Sequence, residues 1–243
     1  SSYLVHSDIR KKIKKIKKNR KIFNPSEQKK ILSKIDFELT GDQKKTLNEI
    51  NNDLRSNQKM FRLLQGDVGS GKTIVALLSA YNVVKAGFQV AIMAPTEILA
   101  RQHFNLAKKI LGDIKIDFLS GKSEYKDRKT IINNLNENKI DILFGTHSVF
   151  QSKVIFKNLG LIVIDEQHKF GVNQRKKLSD KGGKNCDVLL MSATPIPRTL
   201  TMTIYGDMDL SIIKEKPKNR KEVKTYSKLE NKMEDILKFV KKE

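Results

Sequence analysis

Eight consecutive residues have the types and spacing of a loop that binds phosphate, in the pattern G-x-x-x-x-G-K-[ST]. They are Gly66, Asp67, Val68, Gly69, Ser70, Gly71, Lys72 and Thr73. Glycines let backbone N–H groups turn onto phosphate oxygens, Lys72 reaches the β- and γ-phosphates, and the Thr73 hydroxyl binds Mg²⁺. An apolar stretch precedes the loop and a helical pattern follows it, so the sequence predicts a site for ATP and Mg²⁺.

Two acidic residues, Asp165 and Glu166, follow the apolar run Leu161–Ile164. The carboxyl edge of a parallel strand is where ligands bind in such sheets. Asp165 can hold Mg²⁺ directly or through water, and Glu166 can orient and deprotonate an attacking water. Gln167 and His168 come next, and a nucleotide kinase has no obvious need for them, so the pattern favours hydrolysis.

Two weaker signals could connect the nucleotide to another ligand. Ser192 and Thr194 follow an apolar run and could relay the state of the γ-phosphate to a nucleic-acid site, or simply cap the next helix. Gln43 precedes the loop, and its amide could pair with both the donor and the acceptor edge of adenine. Taken alone, Gln43 is better interpreted as a surface residue.

The elements that must position these residues alternate along the chain. Six apolar runs, whose apolar residues are contiguous, predict strands buried on both faces. The runs are Arg62–Leu64, Gln89–Ala94, Lys115–Leu119, Asp141–Phe144, Leu161–Ile164 and Val188–Met191. Helical patterns over Thr73–Lys85 and Glu97–Leu111 lie between them. We therefore predict an α/β fold, with a parallel sheet flanked by helices.

The two ends of the chain differ from this middle part. Residues 1–35 are basic, and the apolar spacing of Val5, Ile9, Ile13 and Ile16 predicts a helix. The lysines between them could form a solvated face or contact phosphates. Residues 214–220 resemble a linker, followed by a predicted strand in "VKTYS" and a helix over 230–241. The expected organisation is a basic helical linker over 1–35, an ATP-binding domain over 36–213, and a linker with the start of another lobe over 214–243.

Composition limits the partners and the compartment. The chain has 48 Lys and Arg against 27 Asp and Glu, a net charge of +21. That excess suggests a polyanion, most simply nucleic acid, although drift toward Lys and Asn is an alternative. The single cysteine, Cys186, excludes an internal disulfide framework and fits a reducing compartment. No apolar run approaches the roughly 18 residues of a membrane span, so we expect a cytoplasmic protein without membrane contact.

Taken in order, these stretches resemble the first RecA-like motor lobe of superfamily 2 helicases. From about Phe37 onward, four segments look like the RecG family of bacterial ATP-dependent DNA helicases. They are "LLQGDVGSGKT", "MAPTEILARQH", "IDEQHKFGVNQRKKL" and "MSATPIPRTLTMTIYGDMDLSII". Transcription-repair coupling factors have a similar motor but usually carry a second Glu where this chain has Gln167, which favours the RecG family.

The resemblance implies a role for each matching residue. Lys72 and Thr73 would bind the phosphates and Mg²⁺, Asp165 would position Mg²⁺, and Glu166 would be the catalytic base. Adenine would be contacted by Gln43 and Phe37. The residues that would couple hydrolysis to DNA are Gln167, His168, Ser192 and Thr194. Those along the DNA track would be Pro95, Thr96, Arg101, Ser120, Gly121, Thr146 and His147.

The resemblance also implies parts beyond these residues. In this family ATP lies between two RecA-like lobes, the second lobe supplies an arginine finger, and a wedge domain reads branched DNA. We expect a monomeric fragment, with the helix that connects to the wedge at roughly residues 2–23, that binds nucleotide without unwinding DNA. A motor lobe of a transcription-repair coupling factor, a non-catalytic P-loop domain that binds DNA through charge, and an RNA helicase remain open alternatives.

Overall fold

The computed structural model describes residues 17–33, 35, 37–121, 125–165, 183–194 and 208–217. The helices are α1 (Pro25–Leu32), α2 (Gly41–Arg55), α3 (Lys72–Lys85), α4 (Glu97–Ile110), α5 (Tyr125–Asn136) and a short 3-10 helix (His147–Phe150). The strands are β1 (Phe61–Gly66), β2 (Gln89–Met93), β3 (Ile116–Leu119), β4 (Ile142–Gly145), β5 (Leu159–Ile164), β6 (Asp187–Ser192) and β7 (Asp209–Ile213).

The seven strands form one sheet in the order β3-β4-β2-β5-β6-β1-β7, and every pairing is parallel. All six predicted strands are present, and the predicted parallel α/β architecture is confirmed. Strand β7 was not predicted, because Asp209 and Ser211 interrupt its apolar residues. Because all strands are parallel, their carboxyl ends meet at one edge of the sheet, so the loops that follow them are neighbours.

The sheet is buried on both faces, as the contiguous apolar runs predict. On β2, Val90 and Ile92 belong to one apolar core, whereas Ala91 and Met93 belong to the other. Helices α1 to α4 contribute to the first core, and α5 with the residues around the 3-10 helix contributes to the second. A strand covered on both sides needs apolar residues at consecutive positions, which explains the runs.

The prediction of a helix over residues 1–35 is wrong at residues 17–24, which form no helix. Lys17 pairs with Gln58 in an isolated antiparallel bridge, and the backbone N–H groups of Lys18 and Lys21 donate to carbonyls of Asn57 and Leu54. Backbone bonds to the end of α2 therefore replace the bonds of a helix. Within the described part of residues 1–35 the helix is α1. Val5, Ile9, Ile13 and Ile16 lie outside the described residues, as do residues 218–243.

Two lysines of the basic segment are buried on one aspartate. The Lys18 Nζ lies 2.7 and 2.6 Å from the two Asp187 carboxylate oxygens, and the Lys21 Nζ lies 2.7 Å from Oδ2. The Met60 N–H donates to Oδ1 at 2.7 Å. All three charged side chains have no exposed surface, and burial lowers the pKa of Lys18. These two lysines are thus neither a solvated face nor phosphate ligands, but the anchor of the segment.

Cys186 is buried next to this cluster. Burial raises the pKa of its thiol to about 12, so the reactive thiolate is scarce at neutral pH. The thiol therefore packs as a small apolar group. None of the helices in the described part of the chain combines the length and the apolar character needed to cross a membrane.

Candidate nucleotide and nucleic-acid site

The predicted phosphate loop connects β1 to α3. Gly69 and Gly71 have φ angles of +78° and +88°, a conformation that glycine adopts at little cost. The Ser70 N–H donates to the Asp67 carbonyl at 3.1 Å and closes the turn. Gly71 is also the N-cap of α3, with no side-chain cap. The start of this helix is therefore built to receive an anion through its amides and its dipole.

Lys72 lies inside the loop, where its side chain is close to the predicted phosphate position. Its ammonium donates to the carbonyls of Gly66 at 2.6 Å and Asp67 at 3.0 Å, and the residue is buried. Phosphate oxygens can replace these carbonyls as acceptors and would add opposite charge. Thr73 follows on the first turn of α3 and is half-buried.

Gln43 supports the phosphate loop from α2. Its Nε2 donates to the Ser70 carbonyl at 2.7 Å, and its Oε1 accepts from the Thr40 N–H at 2.9 Å. It is 1% exposed, so the interpretation as a surface residue is wrong; the capping box with Thr40 draws it inward. These bonds use one of the two Nε2 hydrogens and one of the two Oε1 lone pairs, so the predicted adenine contact would use the others. Phe37 precedes the box and is 39% exposed.

Replacing Gly71 by Ala should weaken nucleotide binding, because its Cβ would lie 2.2 Å from Gln43 Nε2 at a φ of +88°. We expect a loss of about 1.4 kcal/mol or more, tenfold in Kd, measured by titration with a fluorescent ATP analogue. Gly87→Ala is the matched control, since it imposes the same strain at φ +86° with nothing within 4 Å. Equal nucleotide affinities in the two variants would contradict the support by Gln43.

The predicted site residues divide along the carboxyl edge of the sheet. The phosphate loop follows β1, and Ser192 and Thr194 lie at the end of β6. Asp165 follows β5, the next strand. Residues of the predicted DNA track follow the three strands beyond it: Pro95 and Thr96 after β2, Thr146 and His147 after β4, and Ser120 and Gly121 after β3. Asp165 therefore lies between these two groups of residues, which we call the nucleotide half and the DNA half of the edge after their predicted ligands.

Asp165 is held from two neighbouring elements. Its N–H donates to the Met93 carbonyl at the end of β2 at 2.8 Å, and its Oδ2 lies 2.6 Å from His103 Nε2 on α4. His103 was not among the predicted site residues. Its spacing from Ala100 and Ala107 places it on the buried face of α4, which would have indicated a histidine with a buried partner. A single carboxylate with the Thr73 hydroxyl suits Mg²⁺, which completes its shell with phosphates and water. Among the described residues no group of three or more His, Cys, Asp or Glu could hold a metal.

The start of α4 is joined to the end of β3 through Glu97. The Ser120 hydroxyl donates to Glu97 Oε2 at 2.8 Å, and Arg101 donates to Oε1 at 2.8 and 3.0 Å. Arg101 also lies over the Phe118 ring at 4.5 Å, and Thr96 accepts from the Leu99 N–H as the N-cap. This part of the DNA half is therefore one connected unit.

The remaining predicted residues are only partly described. The hydroxyls of Ser192 and Thr194 lie 3.0 Å apart, and the Thr194 N–H donates to Ser192 Oγ at 3.3 Å. Glu166, Gln167 and His168 lie outside the described residues, so their predicted roles stay predictions.

The chain that leaves β7 is bound to the start of α2. The Asp42 carboxylate accepts from the N–H groups of Lys214 and Glu215 at 2.8 and 3.0 Å, and the Asp42 N–H donates to Glu215 Oε2 at 3.2 Å. The backbone hydrogen bonds from Glu215 and Lys214 lower the pKa of Asp42. Because Asp42 precedes Gln43, this joint lies one residue from the contact with the phosphate loop.

Comparison with known proteins gives one family and a consistent set of relatives. The model of the family described as DEAD/DEAH box helicase matches residues 40–203. The chain is 47% identical over 218 residues to the ATP-dependent DNA helicase RecG of Aquifex aeolicus, and 46% identical over 226 residues to that of Bacillus subtilis. These alignments cover 88% and 92% of the chain, but only 28% and 33% of the relatives.

Solved structures agree with this assignment. A structure of RecG bound to a three-way DNA junction matches 98% of the chain and 32% of its own length, with 39% identity and a TM-score of 0.85. The DEAD-box helicase Mss116, bound to single-stranded RNA and UDP-BeF, matches 91% of the chain and 50% of its own length, with a TM-score of 0.64 at 21% identity. The second match supports the fold alone, and together they confirm the predicted RecA-like architecture.

Proposed function

The chain belongs to the DEAD/DEAH box helicase family, and on that premise we propose that it is the first motor lobe of a RecG-type DNA helicase. ATP hydrolysis would drive remodelling of branched DNA, such as replication forks and Holliday junctions, in recombination and repair. The observation that carries this proposal is the division of the sheet edge, with the phosphate loop after β1, the DNA-track residues after β2, β4 and β3, and Asp165 between them.

In the nucleotide half, this chain's residues would bind ATP with Mg²⁺. The amides of the loop from Gly66 to Thr73 would enclose the phosphates, with Lys72 supplying positive charge at the transferred group. Thr73 and Asp165 would hold Mg²⁺, which neutralises charge on the phosphate oxygens when bound. Gln43 would keep the loop in place, and with Phe37 would face the adenine.

The acidic motif would carry the chemical step and its coupling. Glu166 would accept a proton from the attacking water, because it follows directly after the carboxylate that holds the metal. Gln167 and His168 would contact the γ-phosphate, and the hydroxyl pair of Ser192 and Thr194 would relay its loss.

In the DNA half, the exposed start of α4 and the loops after β4 and β3 would contact the backbone of the DNA. Thr96 and His147 are exposed, and Arg101 presents a side chain with 55% of its surface exposed. Ser120 is buried on Glu97, so it would act by shaping the loop and leave the contact to Gly121. The net charge of +21 favours a polyanion.

The lobe would be one part of a longer machine. We assign residues 36–213 to the ATP-binding lobe, residues 1–35 to a link toward a wedge domain, and residues 214–243 to the link and first elements of a second lobe. The chain spans about a third of the length of the RecG relatives, which fits a lobe that is one part of a longer protein. We further propose a monomer that acts on DNA in the bacterial cytoplasm.

The proposed chemistry is tested by Glu166→Gln in the full-length protein. Loss of the general base should slow DNA-stimulated ATP hydrolysis by on the order of 10²-fold or more and stop fork unwinding, while nucleotide still binds. Hydrolysis is measured by phosphate release and unwinding by strand separation from a labelled fork. The control is Glu137→Gln, an exposed residue paired with Lys139. If fork unwinding by Glu166→Gln matches the control, the lobe is a DNA-binding scaffold instead.

A further inference from the structure

His103 is the polar member of the buried face of α4. The other buried residues of that helix are Ala100, Ala107 and Ile110, spaced by three and four. The His103 Nε2 lies 2.6 Å from Asp165 Oδ2, and a carboxylate in the form that binds a metal can only accept, so in that form Nε2 is the donor. The two side chains are 10% and 13% exposed. The contact is therefore short and largely shielded from water.

The bond makes the orientation of the Asp165 carboxylate depend on α4. The backbone of Asp165 is fixed by its N–H bond to Met93 at the ends of β5 and β2. Its side chain, in contrast, is held by a residue of the helix. A small change in the position of α4 relative to the ends of β5 and β2 would therefore alter the bond between His103 and Asp165 while the backbone of Asp165 stayed in place.

The same helix begins at the proposed DNA track. Thr96 caps α4 seven residues before His103, which is two helical turns and roughly 10 Å of rise. Glu97 fixes this start to Ser120 and Arg101. Phe104, next to His103, packs against Phe118 and Phe144 on β3 and β4. The start of the helix is thus attached to the loop that follows β3, and its middle is packed on β3 and β4.

We propose that His103 is a positioning residue that orients Asp165 for Mg²⁺ and transmits the position of α4 on DNA to the metal site. This role rests on the proposed function. Hydrogen-bonded neighbours of metal-ligating groups typically contribute 10–100-fold to metal affinity or activity. DNA bound at the start of α4 should therefore raise the affinity for metal and nucleotide, and by reciprocity the metal-nucleotide complex should raise the affinity for DNA.

The test compares His103→Asn with His103→Gln in the full-length protein. The Gln amide reaches about as far as the imidazole Nε2 and can donate, whereas the Asn amide falls short. Binding of Mn²⁺, as a probe for Mg²⁺, is measured by electron paramagnetic resonance with a non-hydrolysable ATP analogue, with and without forked DNA. We expect His103→Asn to weaken Mn²⁺ binding about 10–100-fold and to lose the effect of the fork, and His103→Gln to retain both.

The contrary result is Mn²⁺ binding by His103→Asn within about twofold of the wild type, well below the range expected for such a neighbour. If His103→Asn does not fold, the ¹⁵N resonances of the His103 imidazole in the wild type decide. A shift on adding Mg²⁺ with nucleotide, and again with the fork, supports the role, and unchanged resonances overturn it. A wild type without DNA-stimulated ATP hydrolysis would instead refute the proposed function.

Discussion

Residues 1–243, produced alone, should bind ATP and hydrolyse it about 10³–10⁵ times more slowly than the full-length protein. The phosphate loop, Lys72 and Asp165 can all be supplied by this lobe. The arginine that stabilises charge on the transferred phosphoryl group would come from the second lobe. Without that arginine the lobe would still bind ATP, but it would stabilise the transition state of hydrolysis much less.

In the described part of the lobe, the contacts that the arginines make lie away from the phosphate loop. Arg62 bonds to Asp53 and to other groups of α2 and β7, and Arg55 lies over the Phe23 ring at 4.4 Å. Arg101 bonds to Glu97 at the start of α4, and Arg128 on α5 bonds to Gln151. Arg20 lies between Lys18 and Lys21, which bind Asp187 at the start of β6, at the opposite edge of the sheet from the phosphate loop.

Both quantities are measured on the same preparation of residues 1–243. A fluorescent ATP analogue gives the Kd and shows that the lobe is folded, and single-turnover hydrolysis gives the rate. Lys72→Ala should lose nucleotide affinity, which assigns the signal to the phosphate loop. Robust DNA-stimulated turnover by this piece would show that hydrolysis does not need an arginine from a second lobe.

Asp187→Ala should destabilise the lobe by about 3–5 kcal/mol or more, because it leaves two buried ammonium groups without a counterion. Lys18 and Lys21 would then have only carbonyl acceptors, those of Asp53 and Asn185, and the Met60 N–H would lose its acceptor. Urea unfolding measures the change, and the slope of the transition shows whether the unfolded state is altered.

Two controls separate the buried charges from a general effect of mutation. Replacing the whole cluster with Lys18→Met, Lys21→Met and Asp187→Leu should recover most of the loss, since no charge is then left unpaired. Glu137→Gln breaks an exposed pair with Lys139 and should leave the unfolding transition unchanged. A single Asp187→Ala variant as stable as the wild type would mean that the lysines reach water.

The nucleotide half of the site was predictable because its signals are local. The phosphate loop is eight consecutive residues, and Asp165 ends a recognisable buried strand. Helix α2 was also predictable, because its buried residues Leu47, Ile50 and Leu54 recur at the helical spacing of three and four. Strand β7 had no comparable signal, since its pairing with β1 is decided by tertiary contact.

The buried positions of Lys18 and Lys21 could not be read from the basic run. Their partner, Asp187, is more than 160 positions away, and nothing in the pattern distinguishes a lysine that reaches it from one in water. The same holds for Gln43 and His103. The local sequence places each on a helix, but the partner of each, the Ser70 carbonyl and the Asp165 carboxylate, is brought near only by the fold.

The reciprocal bonds between Asp42 and Glu215 set where the outgoing chain is fixed. The adjacent residue, Gln43, donates to the Ser70 carbonyl in the phosphate loop. The phosphate loop and the segment that follows β7 are therefore both bound to the first turn of α2. A displacement of the phosphate loop would therefore be passed through two adjacent residues, Gln43 and Asp42, to the backbone of Lys214 and Glu215. The occupancy of the phosphate loop and the direction in which the chain leaves the sheet are thus linked by a path of four residues.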